Sequence, residues 1–212
     1  MSDKRAALMK KYAPISKAQL KAIVIDYASM FPDWSLLPEG SGIVRSLGPV
    51  QQMIWFQKMS SAAYRPTHVM NTTVSPMPRM LHQLLDVKHR EIEVGWHERK
   101  LSQTIIAMEQ QFRPAIRRPL NVAEILELCE IESRRDSLND LMMLAILYAW
   151  FERKTEALDC CSRMQLCPLP TLAPAPEWEA MMRAFGDQLA NAVENGNGRS
   201  FLEAAIERQL IG

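Results

Sequence analysis

The amino-acid sequence predicts an α+β protein, mainly helical, in which a small antiparallel β-meander near the N-terminus is followed by a helical bundle. Three features carry that reading. Leu20, Ile23, Val24 and Tyr27 recur at helical spacing behind Ser16, and Pro32 closes the run. Residues 43–75 hold short runs of β-branched and aromatic residues punctuated by glycine and proline. From Pro78 onward the apolar residues again follow a helical period.

The elements follow in order. Ser16 and Gln19 form a capping-box pair, each side chain able to satisfy the other's backbone N–H, which fixes the start of the first helix. Ile43-Val44-Arg45, Val50 to Met59 and Tyr64 to Val74 are the strands of the meander, with Gly48-Pro49 as a turn between the first two. Pro66 has no N–H for a ladder, so the third strand is expected to begin after it or to lie at an edge. Met80 to Leu85 reads as a short helix. Residues 88–96 fit a strand, because Ile92, Val94 and Trp96 alternate, and also a helix, because charged residues flank them. Leu101, Ile105, Met108 and Phe112 mark an amphipathic helix that Pro114 ends.

Asn121 caps a helix with Val122, Ile125, Leu126 and Cys129 on one side. Ser137 caps the next, which runs to Phe151 or Glu152 and is apolar nearly all round, the mark of a helix central to a core. Arg153-Lys154 leads into a partner helix that Pro168 ends. A Pro-rich connector over 167–176 precedes two terminal helices near 177–194 and 200–210, with the polar loop 195–198 between them. Residues 1–76 are thus read as a helix plus a small sheet, and 77–212 as a helical region packed with the first part as one compact unit.

Chemistry-bearing motifs are sparse. His82, His89 and His97 have no metal-ligand spacing, and the cysteines form no CxxC pair, so no metal or other cofactor is expected. Neither GxSxG nor a GK[ST] phosphate loop occurs, and GSGIV at 40–44 is too short for a dinucleotide fingerprint. No catalytic residue is assigned and the chain is read as non-enzymatic. The longest apolar run, Leu141 to Phe151, is too short to span a bilayer, and no signal-peptide core follows the first residues, so the protein is expected in the cytoplasm.

Charge is uneven. Residues 1–118 hold 17 Lys and Arg against 9 Asp and Glu, whereas 119–212 hold 8 against 15. The basic residues Lys4, Arg5, Lys10, Lys11, Lys17 and Lys21 have few aromatics among them, which favours a solvated helix face over nucleic-acid binding. Arg113, Arg117 and Arg118 sit where they can neutralise helix C-terminal carbonyls. Glu124, Glu127 and Glu130 are expected on the outside of their helix, an acidic face suited to a basic-surfaced partner. Trp55, Tyr64 and Trp96 are the alternative anchors for a partner protein.

The stretch GPVQQMIWFQKMSSAAYRP, set between a helix and further helices, resembles the layout of α+β immunity proteins that accompany bacterial toxins. That resemblance implies a stoichiometric binder that occludes a toxin and performs no catalysis. Ala145, Tyr148 and Ala157, within residues 137–168, resemble the packing positions of one tetratricopeptide-type hairpin, which implies a peptide-holding scaffold as the alternative. An unrecognised hydrolase or nucleic-acid modifier is the third reading. Because Cys129, Cys160, Cys161 and Cys167 read as thiols, adding reductant is expected to leave the melting temperature nearly unchanged. A drop of many degrees in a calorimetric scan would reveal a structural disulfide instead.

Overall fold

In the computed structural model, residues 14–59, 62–76, 81–132, 137–167 and 177–211 are described. Residues 168–176 of the connector expected over 167–176, and the basic residues from Lys4 to Lys11, lie outside that set. Helix α1 (Lys17–Ser29) begins on the expected capping box: Ser16 Oγ accepts from Gln19 N at 3.1 Å and Gln19 Oε1 accepts from Ser16 N at 3.0 Å. Ile15 and Leu20, on either side of the cap, are both buried, a hydrophobic staple that fixes how the chain enters the helix.

An antiparallel sheet follows. Its strands are β1 (Ser35–Leu36), β2 (Gly42–Leu47), β3 (Val50–Lys58), β4 (Ala63–Thr72), β5 (Leu81–Leu84) and β6 (Ile92–Glu93). The order is β1-β2-β3-β4-β5, with β6 also paired to β4. The β2–β3 turn is Gly48-Pro49, and Gly48 has φ of +55°. Positive φ at the first central residue with negative φ enforced at the second is the type II′ combination, whose twist matches that of two antiparallel strands.

Two expectations change here. Residues 81–84 form a strand and not a short helix: so brief a segment cannot nucleate a helix, whereas an unpaired β4 edge offers it hydrogen bonds at once. Pro66 lies inside β4. The edge of β4 away from β3 is served by short strands, with β6 pairing at Ala63 and Tyr64, so Pro66 falls outside that ladder. Residues 88–96 take both forms proposed for them in part: Ile92–Glu93 is a strand, and Val94–Trp96 a single 3-10 turn that runs into helix α2 (His97–Gln111).

The chain divides into two compact units. Of the described residues, 14–45, 52–69 and 81–119 make the first, and 46–51, 70–76 and those from 120 onward the second. Residues 81–119, read from the sequence as part of the C-terminal helical region, therefore group with helix α1. In the first unit, α1 contributes Leu20, Ile23, Val24 and Tyr27 to a core shared with Ile43, Ile54 and Phe56 of the sheet and with Ile105 and Met108 of α2. Burying such side chains is worth roughly 1.5–3 kcal/mol each.

The second unit is helical: α3 (Val122–Glu132), α4 (Leu138–Trp150), α5 (Lys154–Leu166), α6 (Glu177–Glu194) and α7 (Gly198–Ile211). Helix α4 packs against each of the other four, and all its residues from Asp140 to Ala149 are buried, as its unbroken apolarity predicts. Its end is a Schellman turn: Arg153 N donates to Tyr148 O at 2.9 Å and Glu152 N to Ala149 O at 3.1 Å, with Glu152 at φ of +58°. Helix α6 ends the same way, with Asn197 N donating to Ala192 O at 2.7 Å and Gly196 N to Val193 O at 3.1 Å. The second unit thus holds two helical hairpins of one construction, α4–α5 and α6–α7, where the sequence showed a single copy. Arg183 ties them, donating to the carbonyls of Met164, Gln165 and Cys167 at the end of α5 while pairing with Glu179 at 2.7 Å.

Gly48 tests this packing. A Cβ there would stand 2.5 Å from Trp150 Cζ2, against the edge of a rigid ring. Gly48→Ala combines that overlap with left-handed backbone and is expected to cost about 2–5 kcal/mol in urea unfolding. Trp150→Leu in the same chain should recover part of the loss. Additive losses would mean the turn and the ring do not meet.

Candidate functional site

The residues singled out from the sequence divide between the units. On α3, Glu127 is exposed and Glu124 half-buried. Glu130 is not the solvated acid expected: it accepts from the Tyr148 hydroxyl at 2.8 Å and pairs with Arg153 at 3.2 Å. The reason is its position four residues beyond buried Leu126, at the margin of the apolar stripe, where it meets α4. Burial and the neighbouring Glu130 push the Tyr148 hydroxyl up to about 12. In the first unit, Trp55 is 38% and Trp96 47% exposed, and Arg99 stacks over the Trp96 ring at 5.2 Å. Tyr64 is fully buried and is therefore no surface anchor.

The buried Tyr64 hydroxyl belongs to a chain of polar side chains that the sequence did not disclose. The Tyr27 and Tyr64 hydroxyls are 3.0 Å apart, Tyr64 Oη is 2.7 Å from His97 Nδ1, and His97 Nε2 is 3.0 Å from Asp26 Oδ2. Each position follows from local structure. Asp26 and Tyr27 are consecutive on α1, so one reaches out while the other reaches in. The Tyr64–Ile92 pairing of β4 with β6 delivers the start of α2, and with it His97, to the same place. An Asp26 carboxylate that accepts from Nε2–H leaves Nδ1 to accept from Tyr64, and Tyr64 oxygen to accept from Tyr27. Burial pushes the Tyr27 hydroxyl up to about 12, against hydrogen bonds with Tyr64 and Thr104 that lower it. Tyr64 is raised further, by burial first and then by Tyr27 and Asp26.

Carboxylate, imidazole and hydroxyl in series is the order of an acid–base relay. Here both hydroxyls lie at zero exposure, and a general acid or base has to touch the proton it moves. The series holds α1, β4 and α2 together and presents solvent with Asp26 alone.

A second buried network anchors the segment after α2. Arg45 Nε donates to Gln52 Oε1 at 2.7 Å, which turns the amide nitrogen of Gln52 toward His68 Nε2 at 2.8 Å and Pro114 O at 3.0 Å. His68 Nε2 is therefore an acceptor and the ring is neutral, stacked on Phe112 at 5.1 Å. Arg113 and Arg117 act at helix ends, as expected of them: Arg113 donates to Phe112 O, and Arg117 to Met30 O at the end of α1. Among the described residues, no group of three or more His, Cys, Asp or Glu is placed to hold a metal ion. No helix of the described residues is long and apolar enough to cross a membrane. The chain matches no protein family model, no curated protein and no solved structure.

His68 gives a pH signature. Burial, reinforced by the Arg45 charge and opposed by Gln83, lowers its pKa from 6.5 to about 3. The unfolded chain takes up this proton below 6.5 and the folded one does not, so the contribution to stability is complete above 6.5 and drains as pH falls toward 3. The slope is about 1.4 kcal/mol per pH unit in that window. His68→Asn is expected to start less stable but to lose that slope in urea titrations at successive pH values. An unchanged slope would place the titration elsewhere.

Proposed function

We propose that this chain is a non-enzymatic protein-binding module of the immunity type, which neutralises a toxin by stoichiometric binding. The observation that supports it is the contrast within the first unit: Tyr27, Tyr64 and His97 are buried and the series meets solvent only at Asp26, while two tryptophans stand out in water. Trp55 is outward because β3 alternates, with Ile54 and Phe56 buried on either side of it. Trp96 is held outward beneath Arg99. Exposed Trp and Arg of this kind carry binding energy out of proportion to their number. Glu124 and Glu127 remain as acids able to steer a basic-surfaced toxin, without Glu130.

The paired hairpins of the second unit favour a scaffold as the second reading. Against it, α7 packs back on α4, which gives a closed bundle and not an open stack of repeats. The test is growth of bacteria expressing a toxin encoded beside this chain. Wild-type chain is expected to protect. Trp55→Ala with Trp96→Ala should weaken the purified complex by at least tenfold with little change in melting temperature. Full protection by that double variant would reject the aromatic surface, and no protection by the wild type would reject the immunity reading.

A further inference from the structure

Helix α2 presents one face to its core and another that nothing in the first unit covers. Thr104, Ile105, Ala107 and Met108 are buried, whereas Arg99, Gln103, Ile106 and Gln110 are all exposed. Their spacings of four, three and four residues stack them in a single stripe. Glu98 and Glu109 fall outside it, and Glu109 is committed to Arg117 at 2.6 Å. Across from the stripe runs the connection between β5 and β6, and between them lies a groove of about 270 Å³ lined by Lys88, His89, Gln103, Ile106, Ala107 and Gln110. A smaller recess continues it to Lys100 and Thr104. Ile106, in the lining, is 52% exposed, and Val87, next to Lys88 in the chain, 82%.

The charges of this groove are of one sign. Neither Lys88 nor Lys100 forms an ion pair among the described residues, and Arg99 is engaged only with the Trp96 ring. No carboxylate lines the groove or its recess, and Asp86, two residues before Lys88, is bound to His89 Nδ1 at 2.8 Å. Gln103 and Gln110 add amides that can both donate to and accept from an extended backbone. The chain's own N-terminal stretch, with Lys4, Arg5, Lys10 and Lys11, has the wrong sign to complement it.

We infer that this groove is a docking site for an acidic protein segment: carboxylates meet Lys88, Lys100 and Arg99, and an apolar side chain rests on Ile106. The inference rests on the protein-binding reading, and names a surface and a partner chemistry that the basic-surfaced toxin does not supply. The carboxylate attraction acts through solvent, so it governs encounter and is screened by salt.

The probe is a fluorescein-labelled peptide of about a dozen residues with glutamates around a central leucine, beside versions with lysine for glutamate and serine for leucine. Binding is followed by anisotropy at low and high salt and mapped by backbone amide NMR. The acidic peptide is expected to bind at low salt, to move the signals of Lys88, Gln103 and Ile106, and to weaken by roughly tenfold in a Lys88→Glu, Lys100→Glu chain. Ile106→Ser should weaken it separately, with melting temperatures little changed because Lys88 and Ile106 are exposed and Lys100 is half-buried with no ion pair to lose among the described residues. Equal binding by the charge-reversed chain, equal binding of the lysine peptide, shifts elsewhere, or self-association through this face would each overturn the assignment. Because the toxin is held elsewhere, the charge-reversed chain is expected to protect cells undiminished, and a wild-type chain that protects but does not bind the acidic peptide would reject the groove and leave the protein-binding reading intact. A wild-type chain that binds the peptide at the groove but protects against nothing would keep the groove and remove the immunity reading.

Discussion

A buried hydroxyl must find a hydrogen-bond partner or forfeit roughly 1–3 kcal/mol, and in the first unit that requirement falls on Tyr64. Its neighbours on β4 and the aromatic rings of Tyr27 and Phe56 shut out water, with ring centroids 6.2 and 6.0 Å away. The phenol can be satisfied only from α1 and α2, so those helices have to bring Tyr27 and His97 to it together. Register follows from this. Shifting β6 by one residue against β4 would move His97 off Nδ1 contact and leave two phenols and an imidazole buried without partners.

The same logic organises the rest of that unit. Gln52 cannot choose which way its amide points once Arg45 occupies the oxygen, and that single orientation sets the tautomer of His68 and the position of Pro114. Trp34 Nε1 adds a bond to Ile116 O at 3.2 Å while Arg45 lies over its ring at 4.9 Å. The segment after α2, which carries no regular structure, is therefore fixed by side chains from β2, β3 and the α1–β1 connection. In the second unit the constraint is different: α4 has no polar face, so it folds only where other helices surround it, and two Schellman turns let the chain reverse without spare residues.

Much of the architecture was legible because it rests on local rules. The capping box at Ser16, the caps at Asn121 and Ser137, the all-apolar α4 and the Gly48-Pro49 turn each act within a few residues. What the sequence hid depends on pairing at long range. Residues 81–84 become a strand because β4 has an edge to fill, and the second hairpin was obscured because Asn195-Gly196-Asn197-Gly198 looks like a plain loop until its hydrogen bonds are traced. The site was less legible still. His97 is spaced like a surface histidine from His89, and only the β4–β6 pairing buries it. Tyr64 looks like a candidate anchor by residue type, and Glu130 like a free acid by charge. Each is removed from the surface by a partner far along the chain.

Net charge by halves does not distinguish matched charges from free ones, and the pairing does. In the second unit Arg153, Arg183 and Arg199 are matched to Glu130, Glu179 and Glu203, so these acids act as internal ties. In the first unit four of the acids are consumed: Glu91 by Arg65, Glu109 by Arg117, Asp26 by His97 and Asp86 by His89. Lys88 and Lys100 are left over, on either side of a groove with an apolar floor. Exposed pairs contribute little to stability, about 0.2–1 kcal/mol each, so consuming the acids this way does little for folding. Its larger effect is to clear one face of negative charge, and a face of one sign is what selects a partner of the other.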